Sequence, residues 1–516
     1  MWNHPEVAWL VIYFAVVSFR KSVVFTLLSN RCQESLSAMP HAEARGQSLV
    51  SKARFTRSAG VIALVVTVFM TVTVVGQPRH ADEPVELRRA AELLRAGKLA
   101  EAETVISGVL AANPKNSDAH NLLGILRDQR GQTIEAEREY RAALRLNPNS
   151  ISAMTNLGVL LARTKRDDEA IKIFETVLRA VPDHAQATTN LGLLYALRGD
   201  DERAVPLLQK AIAIGLETYD VRYRLGVSLY NLKRFEEAKV ALDASLTLSP
   251  NAAEPYYFLG LIAWAAGKDR EAVDLWDHAI TRRSKFPEAN FMLGEASRKN
   301  KQIRDSAQFY ERALDQDPTQ FAYYARLGGV YIALRESDRA FKIFSQGLVR
   351  FPKLPEAHFF VAISARARAD YDLAESELRK SLALAPANVN ALAQLGFVLL
   401  ERDRLTEAEA MLRQAIAIND KHFYANYDLG RLLVKSHRYE SALPILQHAA
   451  ALKPNNSSVH YQLFMALSRL KRKDEADREL ATFKQLDEAR KARPLEGELD
   501  DDEVQNPPAS PLPSPT

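Results

Sequence analysis

The chain has a single cysteine, Cys32, in 516 residues. One thiol excludes an internal disulfide framework and any cysteine-rich zinc or iron–sulfur site, so packing has to supply the stability. A surplus of charge is also missing. Lys+Arg 68 against Asp+Glu 64 leaves +4, too little for this length to give the basic footprint of a nucleic-acid binder. Glycine (21) and proline (23) are too scarce for a collagen-like or wholly disordered chain, and with 47% apolar and 26% charged residues most of it is expected to fold. No Gly-rich phosphate loop, His-Glu-x-x-His or Gly-x-Ser-x-Gly occurs. The eleven histidines include no i, i+4 pair, which favours surface or packing roles over metal ligation. The expectation is a non-enzyme without cofactor or metal. Length alone suggests roughly three globular domains.

One apolar run is long enough to matter. Residues 58–78 carry no charge, and the dense part, Gly60 to Gly76, is long enough to cross a bilayer core. Residues 20–57 hold seven Lys/Arg, whereas the twenty residues after Gly76 hold four. This bias keeps the basic leader, residues 1–57, inside and sends the rest of the chain outside, periplasmic in a Gram-negative cell. A second apolar stretch, Val7 to Phe19, is short for a span. A start at Met39 would turn residues 39–57 and 60–75 into the n- and h-regions of a signal peptide, so anchor and cleaved signal both stand as readings.

The remainder is periodic. Leu-Gly pairs fall at 123/124, 157/158, 191/192, 225/226, 259/260, 293/294, 327/328, 395/396 and 429/430, all 34 residues or a multiple apart. With the glycine at position 8, units of 34 begin at 83, 117, 151, 185, 219, 253, 287, 321, 355, 389, 423 and 457, and the last ends at 490. Position 20 is Ala in all but Ser306, position 24 is apolar or aromatic throughout, and position 32 is Pro in eight units. Proline ends a helix because it lacks the N–H and clashes with the preceding turn. Each unit therefore reads as helix, short turn at positions 15–17 and second helix. Small residues at 8 and 20 let the two approach, and stacking buries the exposed apolar face. Residues 491–516, with the acidic run Glu496 to Glu503 and a Pro-rich end, read as a disordered tail.

These units resemble the tetratricopeptide (TPR) family, whose 34-residue helix–turn–helix carries Leu-Gly at 7 and 8, Ala at 20, a large apolar residue at 24 and Pro at 32. The resemblance implies an all-α, right-handed superhelix with first helices lining a concave groove at positions 2, 5, 6, 9, 12 and 13. It also implies a protein or extended peptide as partner. Unit 1 (Arg89-Ala90) and unit 12 (Phe464, Phe483) depart from the pattern as atypical caps. Candidate groove residues are the position-5 row Tyr223, Tyr257, Phe291, Phe359, Tyr427 and Tyr461, then Tyr230 and Trp264, then Arg224, Arg298, Arg326, Arg366 and Arg431, with Asn156 and Asn190 at position 6. An aromatic stripe of this kind would grip a peptide or a glycan, and its competing reading is packing between first helices. The chaperone-type Lys/Asn carboxylate clamp and the Asn ladder of O-GlcNAc transferase are both missing. The leading expectation is a membrane-anchored or exported scaffold, with a non-catalytic subunit of an envelope glycan system and a cytoplasmic adaptor as rivals.

Overall fold

The computed structural model describes residues 85–491. The leader, the Met39 start, the 58–78 run and the tail from 492 onward lie outside the described residues. Among the described residues are 24 helices and no strand, which fit about twelve two-helix repeats. Unit 3 is representative: a first helix, Ile151–Arg163, and a second, Asp167–Ala180. Packing runs between helices adjacent or next-but-one along the chain, the arrangement of a solenoid, whose stability is a sum over neighbouring units. None of the described helices is long and apolar enough to cross a membrane.

Local chemistry explains the boundaries. The residue before each first helix often caps it: the side chains of Asn116, Ser150, Thr218, Asn388 and Asn456 each accept the backbone N–H three residues on, satisfying a donor the helix leaves open. Second helices mostly begin without a side-chain cap, directly after a left-handed turn. Position 15 takes a φ of about +60 to +76° in all twelve units, four with glycine and eight with Lys165, Lys233, Lys301, Arg335, Ala369, Asp403, His437 and Lys471. The next residue's N–H bonds back to the carbonyl five residues earlier, as Gln132 does to Arg127 and Asp370 to Ala365, the bond that closes a Schellman turn.

A Cβ built at Gly97, Gly131, Gly199 or Gly267 meets nothing within 4 Å, so the non-glycine units carry a backbone cost and no clash. That cost is about 1–2 kcal/mol, partly offset by glycine's larger unfolded-state entropy. Ala369→Gly is therefore expected to stabilise unit 9 by up to about 1 kcal/mol, and Gly131→Ala to weaken unit 2 by a similar amount. Hydrogen exchange across the two units measures both, and a loss on Ala369→Gly would exclude the account.

The core is built by the two small positions and the large one between them. Ser306 and ten of the eleven position-20 alanines are fully buried, and the position-24 side chains from Ile106 to Leu446 are at most 2% exposed. Each position-8 glycine faces the residue 16 ahead: a Cβ at Gly124 would lie 2.5 Å from Tyr140, and one at Gly294 2.6 Å from Tyr310. Ser306 donates its hydroxyl to the Ile303 carbonyl at 2.7 Å, which is how one unit accommodates a polar atom at this contact. At the C-terminal end, Leu480 is only partly buried, since no further unit among the described residues covers it.

Polar bridges join successive units. His120, His358 and His460, all at position 4, each place Nδ1 2.6–2.7 Å from a glutamate nineteen residues on (Glu139, Glu377, Glu479). Their Nε2 atoms lie 2.9–3.1 Å from the carbonyl of the preceding unit's terminal proline (Pro114, Pro352, Pro454). Glutamates at position 21 take the next unit's arginine: Glu137 with Arg166 and Glu375 with Arg404. Against the counter-pull of partial burial, Arg166 and Arg141 hold the Glu137 carboxyl below its ordinary value, and Arg379 and Arg404 do the same for Glu375.

Candidate binding groove

The predicted groove residues all stand on first helices, and the structure divides them into two sets. Most of the aromatic row is core. Tyr257 is fully buried between Phe258 and Phe286, with ring centroids 5.4 and 5.2 Å away. Phe291 is packed against Tyr310 and Tyr323, Tyr223 stacks on Tyr219, and Phe359 meets Phe360 edge-on. Burial pushes the Tyr223 hydroxyl up to about 12 and the Tyr257 hydroxyl higher still. Bulky side chains at position 5 fill the space between neighbouring helices, which corrects the reading of these four rings as an accessible platform. A saccharide-stacking wall loses its central members, Tyr257 and Phe291. Tyr427 is half-buried and parallel to Phe423 at 6.0 Å, and only Tyr461, 40% exposed against Phe483, is open.

The second set is mostly half-buried on the first helices. Tyr230 is half-buried between Phe235 and Phe258. Trp264 is half-buried, with the Lys299 ammonium 4.4 Å above its ring. Arg224 sits 5.3 Å over the Tyr223 ring. Arg298 and Arg326 both reach Glu295, at 3.1 and 2.8 Å, and the Tyr310 hydroxyl donates to the same carboxylate at 2.5 Å. Further along, Phe397 lies between Arg366 and Arg431, whose guanidinium carbons are 5.2 and 5.4 Å from the ring centroid. Arg431 also pairs with Glu401 and stands 3.5 Å from Asp428. Despite burial that works against its charge, Asp428 and Glu401 hold Arg431 above its ordinary value. Asn156 is buried and donates to Asn121 Oδ1 at 3.0 Å, which braces two first helices, and Asn190 is also buried.

Glu295 and Phe397 were not among the predicted residues. Both occupy position 9, so reading that position across all units for acids and rings as well as for Asn and Lys finds them. The arginines of units 7–11 are thus organised by Glu295, Phe397 and Glu401, which present guanidinium edges along a half-buried polar strip. Among the described residues no group of three or more His, Cys, Asp or Glu side chains is placed to hold a metal ion.

Comparison with known proteins agrees with this architecture. Residues 279–505 match the family described as cilia and flagella-associated protein 70 C-terminal domain. Tetratricopeptide-repeat families match residues 149–217, and residues 87–149 and 223–284. Among solved structures, the APC/C hetero-tetramer Cut9–Hcn1 is similar over 78% of this chain and 94% of that one, at 14% identity and a TM-score of 0.43. Yeast Tom70 is similar over 79% and 98%, at 14% and 0.33, and MamA over 31% and 95%, at 23% and 0.29. No curated protein matches the sequence. With the family matches falling on the periodic region and two helices to each 34-residue period, the chain is a tetratricopeptide-repeat protein.

Proposed function

We propose that the chain is a membrane-anchored or exported scaffold that holds an extended protein segment in its concave groove and so assembles a complex. Proteins of this repeat class generally mediate protein–protein interaction and complex assembly. The observation that carries the reading here is the half-buried strip on units 7–11, where Arg366 and Arg431 flank Phe397 and two further arginines converge on Glu295. A ring held between guanidinium groups suits the side chains of a peptide, and arginine with aromatic anchors is the composition of interaction hot spots. Placement outside the cytoplasm rests on the uncharged 58–78 run and the basic flank before it.

The test combines a photo-crosslinking amino acid at Phe397 with one at Val240, which is exposed on a second helix. A partner captured from Phe397 and not from Val240, and lost at least tenfold on Arg366→Gln/Arg431→Gln with unchanged helicity, is the expected result. Equal capture from both positions would sink the groove reading. In spheroplasts with an intact inner membrane, externally added protease is expected to digest the repeats; protection would sink the placement.

A further inference from the structure

At the edge of the groove where second helices end and first helices begin, units 9–11 enclose a cavity of about 250 Å³. That is the room of about eight waters. Asn390, Gln394, Asn419, Lys421, His422, Tyr424 and Lys453 supply its polar lining, and none of its ten lining residues is acidic. The hydrogen bonds around His422 fix which way the lining faces. The Ala425 N–H donates to His422 Nδ1 at 3.1 Å, so that nitrogen carries the lone pair. The ring proton is then on Nε2, which donates to Asn390 Oδ1 at 3.0 Å. Lys453 is held with its ammonium 4.9 Å from the centroids of both Phe423 and Tyr424, a cation fixed over ring faces. A cavity whose lining includes two lysines and no acid suits a carboxylate.

One segment of this chain has that chemistry. Glu496, Glu498, Asp500, Asp501, Asp502 and Glu503 place six carboxylates within eight residues. The last helix, Lys473–Lys491, runs five residues past the register position at which the second helix Tyr439–Leu452 ends, so its end lies about 7.5 Å beyond the edge that carries Leu452–Lys453 and Asn419–His422. The acidic run begins five residues after Lys491 and ends twelve after it. At about 3.3 Å per residue, five to twelve residues reach roughly 17–40 Å. The lining residues lie one to three units back, a few helix spacings of about 8–10 Å each. A tether this short holds the run at an effective concentration of the order of millimolar.

We propose that the cavity between units 9 and 11 is a carboxylate-binding site whose resident occupant is the chain's own acidic run, residues 496–503. Occupancy of the cavity by this run would compete with any acidic segment that approaches units 9–11. The inference is independent of whether the groove takes a protein partner.

The first test is zero-length carbodiimide coupling of the full chain, which joins a lysine to a carboxylate only where the two touch. Amide links from Lys421 or Lys453 to residues within 496–503, in monomeric protein and with a yield independent of concentration, are expected. Links from these lysines only to other carboxylates, or only between two copies, would overturn the proposal. The second uses a labelled synthetic peptide of residues 494–505 and a full chain whose six acids are changed to Gln or Asn. The peptide is expected to bind the neutralised chain at least tenfold more tightly than the wild type, whose site is already filled. Lys421→Gln/Lys453→Gln in the neutralised chain is expected to cost at least tenfold with helicity unchanged. Equal affinity for both chains, no binding to either, or indifference to the two lysines would each overturn it.

Discussion

Gly260→Ala is expected to weaken unit 6 by about 2 kcal/mol, the middle of the range for overpacking a filled core. The added methyl would lie 2.6 Å from Trp276 Cδ1 and closer still to Nε1. The indole cannot step aside, because it is fully buried and its Nε1–H donates to the Tyr257 carbonyl at 3.1 Å. Trp276→Leu alone removes ring volume and that hydrogen bond, and is expected to cost about 3 kcal/mol. The two changes together are expected to cost at least 1 kcal/mol less than their sum, since neighbours sharing one contact do not add. Unit 9 already shows the combination at work, with Ala362 buried at position 8 and Leu378 at position 24. Hydrogen exchange of residues 253–286 measures each variant. Strict additivity would show that the glycine is not there to admit the indole.

This contact is the kind of feature the sequence announces. Glycine at 8, alanine at 20 and a large apolar residue at 24 recur at fixed spacing, and helix geometry alone brings them together, so fold and register are legible from periodicity. The position-5 row misled because periodicity specifies a face of the helix and not what covers it. Tyr257 stands at position 5 of its helix, yet Phe286 at the end of the same unit closes over it. Whether a ring is lining or filling depends on the size of residues 29 positions away. The left-handed residues were half legible. Four glycines at position 15 mark the turn, but nothing in Lys165 or Ala369 announces a positive φ, which the neighbouring units' alignment imposes. The position-4 histidines looked unrelated because their partners lie in two places, nineteen residues ahead and six behind. Their function as brackets needs both contacts in view.

Glu295→Ala is expected to have the largest local effect among the groove residues. Its carboxylate takes Arg298, Arg326 and the Tyr310 hydroxyl together, and its side chain is only 14% exposed. Burial and then Glu295 itself push the Tyr310 hydroxyl well above its ordinary value, and Glu295 and Tyr310 hold Arg298 raised against the pull of burial. Removing the acid leaves two guanidinium groups facing each other across the interface of units 7 and 8, at an expected cost of about 3 kcal/mol, the lower end for breaking a buried pair. Every 1.4 kcal/mol is tenfold, so amides of residues 287–354 should exchange roughly a hundredfold faster. Because coupling in a solenoid runs between neighbours, residues 117–184 should exchange as before. Adding Arg326→Ala removes one of the two stranded charges and is expected to restore at least a third of the loss. An exchange increase below about threefold would make Glu295 a screened surface acid of little weight. An equal increase in units 2 and 3 would show that the twelve units melt as one body, contrary to the neighbour-only packing of the helices.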